Sequence, residues 1–334
     1  MVIEVRNYKS PLGVIETQRA IKEIKDDFQV SFAKKLNLLR VSAPLFLKKS
    51  SGLNDDLNGV ERKVHFTAHE LGKEEIQVVQ SLAKWKRYAL GKYEIPYLQG
   101  LYTDMNAIRR DETLDNLHSL YVDQWDWEVH IKKEDRTKEF LEETVKKIYE
   151  VLKAEEKKVK GKYPCFDYSL PENIVFLDTS DLERDYPSLS RKEREKAAVK
   201  KYGAVFLERI GWPLKDGKPH DGRADDYDDW NLNGDIILYH PLLDLAYEIS
   251  SMGIRVDKES LRKQCEYRHE LFKLDLPYDK AILEDKIPLS IGGGIGQSRL
   301  CMFFLEKAHI GEVQTSLWPE EDVRKCEEMN IHLL

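Results

Sequence analysis

The chain has few cysteines, no long apolar run and no fold-defining cysteine motif. Its cysteines, Cys165, Cys265, Cys301 and Cys326, lie far apart and include no C-x-x-C pair. This spacing is typical of a reduced protein rather than of a disulfide or zinc framework. No run of 18 apolar residues occurs, and the first residues do not resemble a signal peptide. We therefore expect a cytoplasmic protein with no membrane partner.

An excess of basic residues is also missing. The 334 residues carry a net charge of −7, with a sequence pI near 5.8. This balance argues against a chain-wide basic surface for nucleic acid. Hydrophobic residues make up 41% of the chain and charged residues 34%, which supports a large core in one big domain or two.

Two common nucleotide-binding motifs are missing as well, although one glycine-rich segment is present. Residues 291–299 read IGGGIGQSR, and the apolar run 300–305 follows with the spacing of a helix. The dinucleotide fingerprint fails at Gln297, and no glycine–lysine pair followed by Ser or Thr is found. A glycine-rich strand end before a helix and Arg299 would suit the phosphates or the purine of a nucleotide. A tight turn before a buried helix explains the glycines equally well.

Apolar periodicity predicts a mixture of helices and strands. Amphipathic helices are expected over residues 14–36 and 137–160, and a charged helix over 190–201. Strand-like segments occur at residues 76–80, 118–129, 204–210, 235–239, 245–251 and 289–293. Because these segments lack regular alternation with helices, we expect an α+β fold with an antiparallel central β-sheet. Pro44 favours an edge position for the extended segment 38–47, either covered or at a dimer interface.

The strand predicted over residues 118–129 carries polar side chains on one face. Alternation places Gln124, Asp126 and Glu128 together on that face. Three such groups are costly to bury without partners. They could line a polar ligand pocket, for example around an amino group, or the face could be open to water.

Charged residues elsewhere suit a phosphate or a metal ion. Asp235 begins one predicted strand, and Glu248 and Ser250 share a face of the next, an arrangement that suits a hard cation such as Mg²⁺. Alone, each acid would more often be a surface residue. Residues 220–230 contain five aspartates, and we expect a solvated loop there rather than a lid over a cationic site. Cations concentrate in residues 84–87 (KWKR) and at Arg109, whose guanidinium is a good clamp for phosphate.

Together, these segments resemble a known family. Residues 109–112 (RRDE) resemble motif 2 of the class II aminoacyl-tRNA synthetases, residues 292–299 resemble motif 3, and the segment around Pro44 resembles a short motif 1. The similarity to ammonia-dependent asparagine synthetase (aspartate–ammonia ligase) is more specific and runs in order along nearly the whole chain. It rests on the blocks SLAKWKR (81–87), YVDQWDWE (121–128), DDYDDW (225–230), LNGDI (232–236) and EISSMGIR (248–255). The loop after Trp230 is shorter than in some relatives.

The resemblance implies a fold and a reaction. The fold is that of the class II synthetase catalytic domain, an antiparallel sheet flanked by helices, as one domain over residues 1–334 in a homodimer. The reaction is the ATP-dependent synthesis of asparagine from aspartate and ammonia. It passes through a β-aspartyl-adenylate and releases AMP and diphosphate. ATP is then a substrate, Mg²⁺ the expected cofactor, and no nucleic acid is required.

The resemblance also implies roles for individual residues. The expected catalytic residues are Asp55, Lys86, Arg109, Asp228 and Arg299. The expected substrate-binding residues are Ser81, Gln124, Asp126, Ser250 and Arg255, with Lys86 and Arg255 on carboxylates of aspartate and Gln124 and Asp126 on its ammonium group. The expected nucleotide-binding residues are Arg109, Glu112, Gly294, Gly296 and Arg299, and the expected Mg²⁺ ligands are Asp235 and Glu248. Asp55 and Asp228 would position the substrate or the incoming ammonia.

Free ammonia is the expected nitrogen donor. Val2 stands where an N-terminal glutaminase would carry its cysteine, and no other cysteine has a recognisable nucleophile setting. Two other functions are considered. A synthetase that attaches Asp or Asn to tRNA would need an anticodon-binding β-barrel, for which the region before the first helix is too short. A regulatory paralogue without catalysis would be expected to lack Arg109 or Arg299, and both are present.

Overall fold

A computed structural model of the chain describes residues 2–55, 57 and 61–334. Its helices are α1 (Val14–Leu36), α2 (Ala83–Lys92), α3 (Lys138–Lys162), α4 (Thr179–Asp185), α5 (Arg191–Tyr202), α6 (Lys258–Tyr267), α7 (Pro277–Leu283), α8 (Gln297–Phe304) and α9 (Glu320–Glu328). Its strands are β1 (Leu38–Arg40), β2 (Phe46–Lys48), β3 (His65–Phe66), β4 (Ile76–Val78), β5 (Gly100–Ile108), β6 (Tyr121–His130), β7 (Val175–Asp178), β8 (Ala204–Glu208), β9 (Asp228–His240), β10 (Leu245–Arg255) and β11 (Ser290–Gly296). The predicted α+β mixture is confirmed.

Eight strands form the main sheet, in the order β1-β5-β6-β11-β10-β9-β8-β7. The six inner strands pair antiparallel with one another, as expected. The two edge strands do not, because β1 runs parallel to β5 and β7 runs parallel to β8. Helices α4 and α5 separate β7 from β8, and a crossover of that kind returns the chain in the same direction. The sheet is therefore mixed, with an antiparallel centre.

The extended segment predicted over residues 38–47 is divided between two sheets. Its first part, β1, is an edge strand of the main sheet, whereas β2 belongs to a three-stranded sheet of order β2-β4-β3. Pro44 lies between the two strands, where no ladder hydrogen bond from its nitrogen is needed. The expected edge position is thus confirmed for β1. The region after Trp230 contains no loop, since β9 runs unbroken through it.

Helices α1, α3 and α8 cover one face of the main sheet and bury its core. Phe28 stacks on Trp125 with 4.8 Å between ring centroids, and Phe32 meets Trp127 edge-on at 6.0 Å. These tryptophans alternate along β6 with the polar side chains, which therefore point to the other face. The predicted alternation is confirmed. Within the described residues, no helix has both the length and the apolarity that crossing a membrane requires.

Candidate active site

A cavity of about 430 Å³ opens on the polar face of β6. Its walls come from β6, β10 and β11, from the start of α2 and from the turn after β5. All the predicted site residues except Asp235 line it. The cavity has the size of an ordinary small-molecule site. The fold therefore brings together segments that lie far apart in the sequence.

The glycines of β11 make room for the side chains of β6. Gly292 pairs with Glu128 and Gly294 with Asp126 in the antiparallel ladder. A Cβ atom at Gly292 would lie 1.9 Å from Glu128 Oε2, and one at Gly294 would lie 2.5 Å from Gln124 Oε1. The glycines are thus needed in an extended strand that continues into α8, and not for a tight turn. The predicted strand end followed by a helix is confirmed.

Lys86 and Asp126 form a charged pair in the floor of the cavity. Lys86 Nζ donates a hydrogen bond to the Gly293 carbonyl oxygen at 2.7 Å and lies 3.3 Å from Asp126 Oδ2. Each residue is only 2% exposed. Burial lowers the pKa of Lys86, and the Asp126 carboxylate opposes that shift. A fixed ammonium beside a fixed carboxylate complements a zwitterion, because each can bind the opposite charge of an amino acid.

Arg255 is largely committed to protein carboxylates. Its Nε and Nη2 donate to Glu128 at 2.9 and 2.8 Å, and its Nη1 donates to Asp228. All three side chains are buried. This network leaves Arg255 only part of its hydrogen-bonding capacity for a ligand carboxylate. Lys86 likewise keeps only part of its capacity for a ligand, since its ammonium bonds to the Gly293 carbonyl oxygen and pairs with Asp126.

The prediction of a solvated loop over residues 220–230 is wrong. Four of its aspartates are buried, and Asp221 is exposed. The buried ones, Asp225, Asp226, Asp228 and Asp229, pair respectively with Lys273, Lys84, Arg255 and Arg136. Because each of these cations is distant in the sequence, the composition of the segment alone gave no sign of the pairing. The segment is a charged inner wall of the site.

Asp235 and Glu248 lie on neighbouring strands, β9 and β10. Asp235 pairs with Ser251, Glu248 pairs with Ile237, and the ladder is irregular between Glu248 and Ser250. Arg223 forms an ion pair with Asp235 Oδ2, while Oδ1 is buried and has no hydrogen-bond partner among the described residues. Burial raises the pKa of Asp235 to about 6, with Arg223 opposing the shift and Glu248 adding to it.

This pair has the chemistry of a partial site for a hard cation. A free, buried carboxylate oxygen with a second carboxylate nearby suits Mg²⁺, which commonly takes one or two protein carboxylates and completes its shell with phosphates and water. In the described ranges, no group of three or more His, Cys, Asp or Glu side chains is placed to hold a metal by itself. The two residues therefore fit a cation that arrives with a phosphate ligand.

The two arginines of the synthetase-like motifs differ in their surroundings. Arg299, in α8, donates from Nη1 to the Glu248 carbonyl oxygen at 2.8 Å. Arg109 follows β5, and its buried Nε has no hydrogen-bond partner in the part of the chain that the structure describes. The Glu112 amide donates to the Arg109 carbonyl oxygen at 3.2 Å and closes the turn. An incompletely satisfied guanidinium in a cavity wall is well suited to bind an anion.

Oxygen atoms with free lone pairs occur at two further positions. Asp55 Oδ1 accepts from the Leu57 amide at 3.0 Å, but its buried Oδ2 has no partner in the described chain, and neither does Ser250 Oγ. Burial raises the pKa of Asp55, Lys84 opposes the shift and Asp226 adds to it. Ser81 Oγ accepts from the Ala83 amide at 3.1 Å at the start of α2.

A comparison with known proteins identifies the family. The family model described as aspartate-ammonia ligase matches residues 15–330. The chain belongs to the aspartate–ammonia ligase family. Relatives named aspartate–ammonia ligase include one from Clostridium perfringens strain SM101, 58% identical over 329 residues and 98% of both chains. Another, from Bacillus cytotoxicus, is 57% identical over 326 residues, which cover 98% of this chain and 99% of that protein.

Solved structures extend the family's fold to more distant proteins. Asparaginyl-tRNA synthetase from Entamoeba histolytica, in complex with asparaginyl-adenylate, matches with a TM-score of 0.64 at 14% identity, over 90% of this chain and 66% of the synthetase. The Pyrococcus horikoshii enzyme with asparaginyl-adenylate gives 0.62 at 14% identity, over 91% and 70%. The ligase-family chain thus has the predicted class II synthetase catalytic fold, and it spans about two thirds of the length of the first of these synthetases.

Two pocket residues of this ligase-family chain, Arg223 and Gln80, received no role from the sequence. Glu128 was predicted only as part of the polar face of β6, and the structure shows that it holds Arg255 and does not itself line the cavity. Arg223 pairs with Asp235. Its position as an arginine among the aspartates of residues 220–230 is a signal that it forms an ion pair. Gln80 lies in no recognised chemical motif, and the only hint is a polar residue among the apolar neighbours Val79 and Leu82.

Proposed function

We propose that the chain is an AMP-forming aspartate–ammonia ligase, a carbon–nitrogen ligase that makes L-asparagine from L-aspartate, ATP and ammonia. The single observation that carries the proposal is the buried Lys86–Asp126 pair in the same cavity as Arg109, whose Nε has no partner among the described residues, in a chain of this family. The pair complements an amino acid, and Arg109 complements a phosphate. We treat residues 1–334 as one catalytic domain.

Aspartate binds with its charged groups next to side chains of opposite charge in the floor of the cavity. Asp126 and Gln124 accept hydrogen bonds from its ammonium group, and Lys86 binds a carboxylate. Arg255 gives its remaining donors to a carboxylate, with Ser81 and Ser250 as polar neighbours. The free Ser250 Oγ supports this assignment, since a buried hydroxyl without a partner is costly unless a ligand supplies one.

The first step is adenylation. A β-carboxylate oxygen of aspartate attacks the α-phosphorus of ATP, an O–P bond forms, and the bond to diphosphate breaks. Such a transition state is stabilised by positioning and by charge, because negative charge spreads over the phosphoryl oxygens. Arg109 and Arg299 supply positive charge there. Glu112, Gly294 and Gly296 frame the nucleotide, since the glycines let it approach the backbone.

Mg²⁺ fits the edge of the cavity that Glu248 lines, next to the strand that carries Asp235. Asp235 and Glu248 would hold the ion, and its charge would offset that of the phosphates. The free Oδ1 of Asp235 is the observation that supports this assignment. The neighbouring Arg223 and Arg299 limit the repulsion between the two carboxylates before the ion arrives.

The second step is attack by ammonia on the acyl carbon of the adenylate, which releases AMP. Asp55 and Asp228 are candidates to position the nitrogen. Asp228 is occupied by Arg255, whereas Asp55 Oδ2 is buried without a partner among the described residues. We therefore assign the ammonia to Asp55 and treat Asp228 as the group that orients Arg255.

Assembly and location are part of the same proposal. Apolar side chains of α1, β1 and β2 are exposed, among them Val30 at 66% and Leu39 at 60%. Exposed apolar side chains on three neighbouring elements of the chain are typical of an interface, and we infer a homodimer through them. The four cysteines, all within the described residues, are free, which fits a reducing compartment, and we infer a cytoplasmic enzyme.

One assay tests the proposal against its rivals. The protein is incubated with ATP, Mg²⁺, aspartate and ammonium, and AMP and asparagine are followed together. We expect equal amounts of both without any tRNA. ADP as product would refute the adenylate route, and activity only with added tRNA would favour an aminoacyl-tRNA synthetase. Ligand-induced stabilisation without turnover would favour a binding protein.

A further inference from the structure

Gln80 is a buried polar residue of the cavity wall that has no internal partner. Its residue is 0% exposed and lines the cavity, yet neither Oε1 nor Nε2 has a hydrogen-bond partner within residues 2–55, 57 and 61–334. Most buried polar groups are hydrogen-bonded, and leaving one unmet is costly to the folded protein. A carboxamide with both polar atoms unmet beside a cavity therefore points to a ligand that supplies an acceptor and a donor.

Hydrogen bonds link the segment that carries Gln80 to the segments of two proposed catalytic residues. The Gln80 amide donates to Asn54 Oδ1 at 3.0 Å, and Asn54 directly precedes Asp55. On the other side, the Val79 carbonyl oxygen accepts from the Ile108 amide at 3.3 Å, and Ile108 directly precedes Arg109. Gln80, Asp55 and Arg109 all line the same cavity. The carboxamide therefore belongs to the wall that also carries the carboxylate assigned to ammonia and the guanidinium assigned to the α-phosphate.

We infer that the Gln80 carboxamide positions ammonia against the acyl carbon of the aspartyl-adenylate. This inference rests on the proposed function. Oε1 accepts one N–H of ammonia, and Nε2 donates to the acyl oxygen, on which negative charge grows as nitrogen adds. The nitrogen lone pair forms the C–N bond. The C–O bond to phosphorus-bound oxygen breaks, AMP leaves with its electron pair, and one proton passes from nitrogen to the Asp55 carboxylate.

A neutral carboxamide suits this position better than a charged group. It offers an acceptor and a donor in one plane, whereas a carboxylate only accepts and an ammonium only donates. Asp55 already supplies the carboxylate that takes the proton, and a second carboxylate at position 80 would favour ammonium, which has no free lone pair, and would repel the acyl oxygen. Val79 and Leu82, both fully buried, fix the segment that carries the carboxamide.

Two half-reactions separate this role from substrate binding. Adenylation alone is measured as aspartate-dependent exchange of diphosphate into ATP without ammonium, and the full reaction as asparagine formation over a range of ammonium concentrations. The variants are Gln80→Met and Gln80→Glu. The control is Gln77→Met, a buried glutamine of β4 that does not line the cavity but, like Gln80, contacts Asn54, so that it reports on the packing of that segment. Thermal melting checks that each variant folds.

We expect Gln80→Met to keep the rate of diphosphate exchange within about threefold of the wild-type rate. Its kcat/KM for ammonium should fall about 10- to 100-fold, a loss that approaches the effect of removing one oxyanion-hole donor. Gln80→Glu keeps an acceptor but loses the donor. It should therefore lower kcat for asparagine formation more than it raises the KM for ammonium. Gln77→Met should leave both half-reactions unchanged.

Other results would overturn the inference. If exchange and asparagine formation fell together in Gln80→Met, the residue would act in aspartate or ATP binding instead. If neither fell, its carboxamide would have no part in the reaction. A similar loss in Gln77→Met would assign the effect to packing. Absence of diphosphate exchange in the wild-type protein would refute the adenylate route and the Gln80 inference together. Failure of the inference alone would instead leave wild-type exchange intact.

Discussion

Glu128 and Arg255 form a fully buried ion pair, with 2.8 Å between Glu128 Oε2 and Arg255 Nη2. Burial works against ionisation of Glu128, but Arg255 and Lys86 outweigh it and hold the pKa of that carboxyl below its ordinary value. Such a pair adds little by itself to stability, yet removing one partner strands the other charge. Arg255 therefore depends on Glu128 for its position in the cavity.

Glu128→Gln should accordingly destabilise the protein by about 3 kcal/mol, because Arg255 loses the larger part of its counter-charge. Urea unfolding at neutral pH measures this. The matched control is Glu143→Gln, an exposed residue of α3, which should change stability by less than about 0.5 kcal/mol. Equal stability of the two variants would show that the buried pair does not hold Arg255.

Gly294→Ala should weaken aspartate binding. Its Cβ would lie 2.5 Å from Gln124 Oε1 and 2.7 Å from Asp126 Oδ1, so both side chains must move. We expect the KM for aspartate to rise at least about tenfold, which corresponds to about 1.4 kcal/mol. Gly161→Ala, in α3 with open space around it, should keep wild-type kinetics and gain slightly in stability. An unchanged KM in Gly294→Ala would separate these glycines from the substrate.

Asp126→Asn should affect aspartate more than ATP. The substitution removes the charge that complements the substrate ammonium, and a charge-assisted hydrogen bond contributes about 1.5–3 kcal/mol. The KM for aspartate should rise about 10- to 100-fold, while the KM for ATP stays within about threefold. Steady-state kinetics with each substrate varied in turn give both numbers. Parallel increases in both KM values would count against the assignment.

Arg109→Ala should abolish adenylation without unfolding the protein. The Nε of Arg109 has no internal hydrogen bond among the described residues, so little stability depends on it. We expect aspartate-dependent diphosphate exchange to fall by at least about 100-fold, the effect typical of a lost transition-state donor. Arg184→Ala, an exposed arginine of α4 that does not line the cavity, should keep most of the activity. Wild-type turnover in Arg109→Ala would remove its role.

Asp279 gives a prediction about pH. Burial raises its pKa to about 8, with the nearby Asp226 adding to the shift, Lys84 opposing it and Asp225 adding to it. Because the folded-state pKa lies above the unfolded value, ionisation costs stability as pH rises, by at most about 1.4 kcal/mol per pH unit. Asp279→Asn removes this cost.

The stability of Asp279→Asn relative to wild type should therefore improve steadily between pH 5 and pH 8, then level off above that range. Melting temperatures of both proteins across this range measure the effect. A difference between the two proteins that did not change with pH would show that Asp279 is already ionised in the folded state.

Much of the fold could be predicted because its signals are local. The periodicity of α1 and α3 and the alternation along β6 depend on nearest neighbours in sequence. The parallel edges of the sheet were not foreseen, because strand direction depends on crossovers such as α4–α5. The charge of residues 220–230 was misread for a similar reason, since the pairing of Asp226 with Lys84 spans 142 positions.

The site residues also divide into those that local sequence predicts and those that it does not. Most lining residues were predicted, because they lie in motifs that are continuous in the sequence. Gln80 was not predicted, because its interest is the absence of a hydrogen-bond partner among the described residues, and that absence can be seen only once its neighbours are placed. The same holds for the commitment of Arg255 to Glu128 and Asp228, which reduces the role predicted for it on aspartate.

In the proposed route, the β-carboxylate of aspartate becomes bonded to the α-phosphorus of ATP before nitrogen adds. Aspartate with ¹⁸O in both β-carboxylate oxygens can be incubated with ATP, Mg²⁺, ammonium and the protein, and the nucleotide product analysed by mass spectrometry. We expect AMP that carries one ¹⁸O atom, together with singly labelled asparagine. Unlabelled AMP, or ADP with labelled phosphate, would contradict this route.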